Sequence, residues 1–135
     1  MSQRFSQTEA MIACWYLTAN SDVGTDKEKH LITDVLMYKY DLWSTVNWDR
    51  FNTKWKNWMN DKYKMINHCK KILDDADYFI RVKTLAGMWA VAVDGEHFGT
   101  NPGDEWSGTE SELYMEMEKA LNVLHDDVKK EWKKI

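Results

Sequence analysis

Breakers of regular structure are scarce in this chain. Its 135 residues contain one proline, Pro102, and six glycines, four of them (Gly95, Gly99, Gly103 and Gly108) crowded into one stretch. Few breakers and short polar joints exclude a turn-rich β architecture and favour helices. There are only two cysteines, Cys14 and Cys69, with no CxxC spacing. A disulfide framework and a cysteine zinc site are therefore excluded, and buried free thiols in a reducing compartment are expected. No apolar run approaches the ~20 residues that cross a bilayer. Met1 to Phe5 lacks the apolar core of a secretory signal, so a cytoplasmic location is expected. His30, His68, His97 and His125 show no HxxxH spacing, and no Gly-rich phosphate loop, GxSxG or HExxH is present. An enzyme is not expected. From Thr84 to Glu118 there is no lysine or arginine at all.

What is abundant is aromatic surface and helical periodicity. Eight tryptophans and a 44% apolar content imply one domain, residues 1–135, with energetics dominated by packing. Ile12, Trp15, Tyr16 and Ala19 recur at helical spacing in a first helix near 6–19. Thr25 and Glu28 form a capping box for a second, with Leu31, Val35 and Leu36 facing inward. Asn47 or Asp49 caps a third, bearing Phe51, Trp55 and Trp58. Met65, Cys69, Ile72 and Ala76 mark a fourth. The fifth, near 78–93, runs from Leu85 to Val93 without a polar side chain and belongs at the centre. Thr109 caps a sixth helix with Leu113, Met117, Ala120, Leu121 and Leu124 on one face. A seventh ends in Lys129, Lys130, Lys133 and Lys134, which suit the negative end of a helix dipole. The expected fold is all-α, about seven helices.

The chain also repeats itself. Ala13 to Asp22, followed by Thr25-Asp26-Lys27-Glu28, returns as Ala86 to Gly95, followed after a longer loop by Thr109-Glu110-Ser111-Glu112. Each copy is an apolar helix, an acidic turn and a capped helix, which implies two pseudo-symmetric halves near 5–60 and 61–135. The second carries an inserted acidic loop, 98–108.

Charge is unevenly spread around a net −4. Asp94, Glu96, Asp104, Glu105, Glu110, Glu112, Glu116 and Glu118 make an acidic pole. Arg50, Lys54, Lys56, Lys62, Lys64, Lys70 and Lys71 make a basic segment. Asp94, Gly99 and Glu105 fall at the first-ligand, turn-glycine and closing-carboxylate positions of a calcium loop, but Phe98 stands where a ligand is required. A looser oxygen cage for calcium or another hard divalent cation, built from Asp94, Glu96, Asp104, Glu105, Glu110 and Glu112, is the sharper expectation. Asp22, Asp26 and Glu28 would form a weaker equivalent, and His97 an accessory ligand. The competing reading is that these acids cap helices and solvate a loop.

Ala92-Val93-Asp94-Gly95-Glu96, followed by an acidic capping box, resembles the TerB-like domain. That family includes tellurite-resistance protein B and the N-terminal domain of a membrane-anchored DnaJ-type co-chaperone. The resemblance covers nearly the whole chain and implies about seven helices in two related halves. It also implies an acidic, metal-associated surface and a stress-response or scaffold role. Asp94 and Glu112 match the family's loop Asp and helix-opening Glu, and Glu28 matches in the first half. Ser21 stands there where the Asp is expected.

Two other functions compete. In a metal-independent protein-interaction adaptor, Trp43, Trp48 and Trp106, placed in joints, would be exposed anchors for a protein partner. In a nucleic-acid-binding domain, the basic helices of Arg50 to Lys71 would use Trp55, Trp58 and Tyr63 for stacking. The acidic pole and the simpler core role of Phe51, Trp55 and Trp58 argue against the latter.

Overall fold

A computed structural model of the chain describes residues 5–19, 31–58, 61–92 and 108–135. These form seven helices and, among the described residues, no strand.

Helix α1 (Gln7–Ala19) opens with a reciprocal capping box. The Ser6 amide donates to Glu9 Oε1 at 2.9 Å, and the Glu9 amide donates to Ser6 Oγ at 3.1 Å. Ala10 to Trp15 are all buried, so α1 is enclosed rather than amphipathic.

Helix α2 starts as a π-helical stretch (Leu31–Leu36) and tightens into one α-helical turn (Met37–Lys39). The wider turn moves the inward row. Ile32, Leu36 and Met37 are fully buried, whereas Val35, expected inside, is 39% exposed. The helix ends in a Schellman motif. Asp41 takes a left-handed φ of 51°, its amide donates to the Tyr38 carbonyl, and the Leu42 amide donates to that of Met37. Buried Leu42 supplies the apolar contact that accompanies such a stop.

Asn47, not Asp49, caps α3 (Trp48–Trp58), accepting the Arg50 amide at 3.0 Å. Asp61 caps α4 (Lys62–Asp74) by accepting the Lys64 amide. Met65, Cys69 and Ile72 point inward as expected, and Ala76 is buried just beyond the helix end. Helix α5 (Tyr78–Ala92) is the central rod, buried from Thr84 through Val91. It packs along α1 on one side and α7 on another, and α1 also lies against α4. The two copies of the sequence repeat thus contribute the two enclosed helices. Their acidic turns lie outside the described residues.

Helix α6 (Gly108–Leu121) starts one residue before Thr109, which therefore sits inside the first turn and not at the cap. Leu113, Met117 and Leu121 are buried, but Leu124 is 67% exposed. Asn122, at a left-handed φ of 52°, stops the helix and removes Leu124 from that face. Helix α7 (His125–Lys133) then buries Val128 and Trp132. Its indole stacks on that of Trp89 with centroids 4.5 Å apart.

Candidate functional site

The acidic residues singled out from the sequence fall mostly beyond reach. Asp94, Glu96, Asp104 and Glu105, with Asp22, Asp26 and Glu28, lie outside the described residues, as do His97 and Trp106. Glu110 belongs to the first turn of α6, although its side chain is also outside the description, and Glu112 is exposed further along the same helix. Among the described residues no group of three His, Cys, Asp or Glu side chains is placed to hold a metal ion.

Among the described residues the two charge clusters touch at one ion pair. Lys70 of α4 forms an ion pair with Glu116 of α6, so part of the basic segment neutralises part of the acidic one. Arg50, the first member of the basic segment, is committed elsewhere. Its Nε and Nη2 each lie 2.9 Å from a carboxylate oxygen of Glu9, in a two-pronged clasp. Glu9 is fully buried and also accepts the Asn47 amide at 2.9 Å, joining the start of α1 to that of α3. Burial pushes its carboxyl pKa up, but the hydrogen bonds from Arg50, Ser6 and Asn47 outweigh this and hold it below the ordinary range. The pattern Ser6-x-x-Glu9 is a legible capping box; its tertiary partner Arg50 carries no local signal.

A second polar chain ties α6 to α7. Burial, with the nearby Glu118 carboxylate, pushes the Tyr114 hydroxyl pKa up, and Glu118 Oε2 lies 3.2 Å from His125 Nδ1. His125 also stacks on Trp89, centroids 5.4 Å apart. The Glu118–His125 contact holds α6 and α7 together. Cys14 and Cys69 are both buried free thiols, and the neighbouring Cys14 thiol together with burial pushes the Cys69 pKa up.

The most exposed organised feature is aromatic. Tyr38, 71% exposed at the end of α2, meets Trp43 edge-on at 6.3 Å. Trp43, 42% exposed in the following turn, leans on Trp48 at 5.7 Å. Half-buried Trp48 rests edge-on against buried Phe51, also at 5.7 Å. The result is a ledge whose inner end is fixed in the core and whose outer end is open. Of the three tryptophans expected as anchors, Trp43 is open in a joint, Trp48 is the first residue of α3 and braces the ledge, and Trp106 is outside the description. Tyr38 was missed, because its helical position looks like an ordinary polar face. Tyr63 is 77% exposed on α4, whereas Trp55 is half-buried against Phe51 and Tyr16, as expected of a core residue.

Comparison with protein-family models, with curated proteins and with solved structures returned no match.

Proposed function

We propose that this chain is a non-enzymatic binding and scaffold module of TerB-like kind that engages a protein partner through the Tyr38–Trp43–Trp48 ledge. The observation that carries this reading is the ledge itself: large aromatic rings held open to solvent yet braced on Phe51. Aromatic anchors fixed before binding lose little side-chain entropy when a partner covers them. The TerB-like part of the reading is supported by the sequence resemblance around Asp94-Gly95-Glu96 and by the internal repeat, and the all-helical fold is compatible with it. The non-catalytic reading is supported by the engagement of Glu9, Glu118 and His125 in contacts that join helices.

A divalent cation at Asp94, Glu96, Asp104, Glu105, Glu110 and Glu112 is the second part of the proposal. It is supported by the run of eight carboxylates without a lysine or arginine. Lys70 supplies a counter-charge to Glu116. The stress-response role that the family resemblance implies is tested by tellurite survival of a host with and without the chain.

Quantitative cross-linking in cell extract, comparing wild type with Trp43→Ala and Tyr38→Ala, tests the contact surface. Cross-links lost in both variants, at unchanged melting temperature, are the expected result. An identical set of cross-links in all three proteins would remove the ledge from the function.

A further inference from the structure

Resting on the reading of the ledge as a contact surface, we infer that its occupant is a basic segment of another protein, with arginine or lysine side chains laid on the faces of Tyr38 and Trp43. Three features converge. First, the described stretch that carries the ledge, residues 31–49, exposes three acids, Asp34 on α2, Asp41 at the helix stop and Asp49 next to Trp48, against one lysine. The basic residue of this stretch, Lys39, is turned away, donating to the Lys134 carbonyl at 3.0 Å. An acidic rim attracts a cationic segment and repels an anionic one, nucleic acid included.

Second, ring faces at this end of α2 already accept ammonium groups. Lys39 and Lys83 place Nζ 5.7 and 5.1 Å from the Tyr40 ring centroid. Both lie within the ~6 Å over which a cation is attracted to an aromatic face. Among the described residues no lysine or arginine stands over Tyr38 or Trp43, and these rings offer a cation the same chemistry. Third, Val35, 39% exposed, adds an apolar spot on α2 for the aliphatic part of a basic side chain or for a neighbouring leucine. A guanidinium lying on an indole with carboxylates nearby satisfies its charge and its flat face together.

The test uses the full chain and fluorescein-labelled synthetic peptides read by anisotropy: one alternating arginine with leucine, a twin with glutamine for arginine, and a twin with glutamate. The arginine peptide should bind, and binding should weaken as salt is raised. The double variant Tyr38→Ala/Trp43→Ala should weaken it by about tenfold or more, as loss of aromatic anchors does. Asp41→Asn/Asp49→Asn, which leaves the rings in place, should weaken it less and flatten the salt dependence.

If the glutamine and glutamate twins bind as tightly and still require Trp43, the basic occupant is wrong while the contact surface stands. If the arginine peptide binds both variants as well as wild type, the inference is overturned because the peptide sits elsewhere. If no peptide binds wild type, the inference falls, and unchanged cross-links in Trp43→Ala would take the contact surface with it. A Trp43-dependent dimer in sedimentation would overturn it differently, by making a second copy the occupant.

Discussion

At the residue scale two positions carry more than their size suggests. Gly87 lies under the indole of Trp15, where an added Cβ would come 2.1 Å from Nε1. That ring cannot swing aside freely, because its Nε1 donates to the Thr84 carbonyl at 3.0 Å. Gly87→Ala should therefore cost ~1–3 kcal/mol, the usual size of core overpacking. Urea unfolding would measure it, and Trp15→Phe in the same chain should recover part of the loss as a non-additive coupling. Glu9 is the other. Removing its carboxylate leaves Arg50 and two amides without their acceptor, so Glu9→Ala should cost roughly 2–3 kcal/mol. Because the folded pKa is depressed, the stabilisation is complete above the ordinary glutamate value of about 4.3 and fades as pH falls through the lower folded value. Wild-type urea midpoints should drop over that acidic window, and Glu9→Gln should drop less. The capping half of this site is written in Ser6-x-x-Glu9. Arg50 looked like one more cation of a lysine-rich helix, because a partner forty-one positions away leaves no periodic trace.

At the element scale the sequence marks helices well and their ends poorly. Proline and glycine are so rare that the stops fall to Asp41 and Asn122, both left-handed and neither conspicuous in the chain. The stop at Asn122 leaves Leu124, expected on the sixth helix, in the joint before α7. The π-helical opening of α2 shifted the inward row from Val35 to Ile32 and Met37 in the same way, since a 3.6-residue period cannot anticipate a wider turn. Asp41→Gly should relieve the left-handed cost and raise stability by up to ~1 kcal/mol, offset in part by glycine's greater freedom when unfolded. A thermal melt that fell instead would show that the aspartate side chain contributes more than its backbone strain costs.

For the whole molecule, the all-helical class, the central place of 78–92 and the approximate number of helices were legible, because enclosed helices are apolar on every face. The ledge was legible only through Trp43, since Tyr38 and Trp48 join it by tertiary contact between α2, the turn and α3. The acidic half of the proposal predicts that calcium raises the melting temperature relative to chelator, as a ligand of the folded state must. Asp94→Asn should diminish that shift more than Asp104→Asn, because Asp94 follows closely on the end of α5. Coincident curves in calcium and chelator would leave those acids as solvating and capping groups.

The far end of the chain also governs the root of the ledge. Tyr40 Oη donates to Glu131 Oε2 at 2.6 Å, and Lys39 holds the carbonyl of Lys134. Residues ninety-odd positions apart are thereby riveted together, so the last turn of α7 works as a splint behind Tyr38. Trimming that turn, or forcing it open with a bulky C-terminal fusion, should slacken the aromatic surface without touching any residue on it. Hydrogen exchange would register this as faster exchange at the end of α2, including the Asp41 and Leu42 amides, while the centre of α5 stays protected.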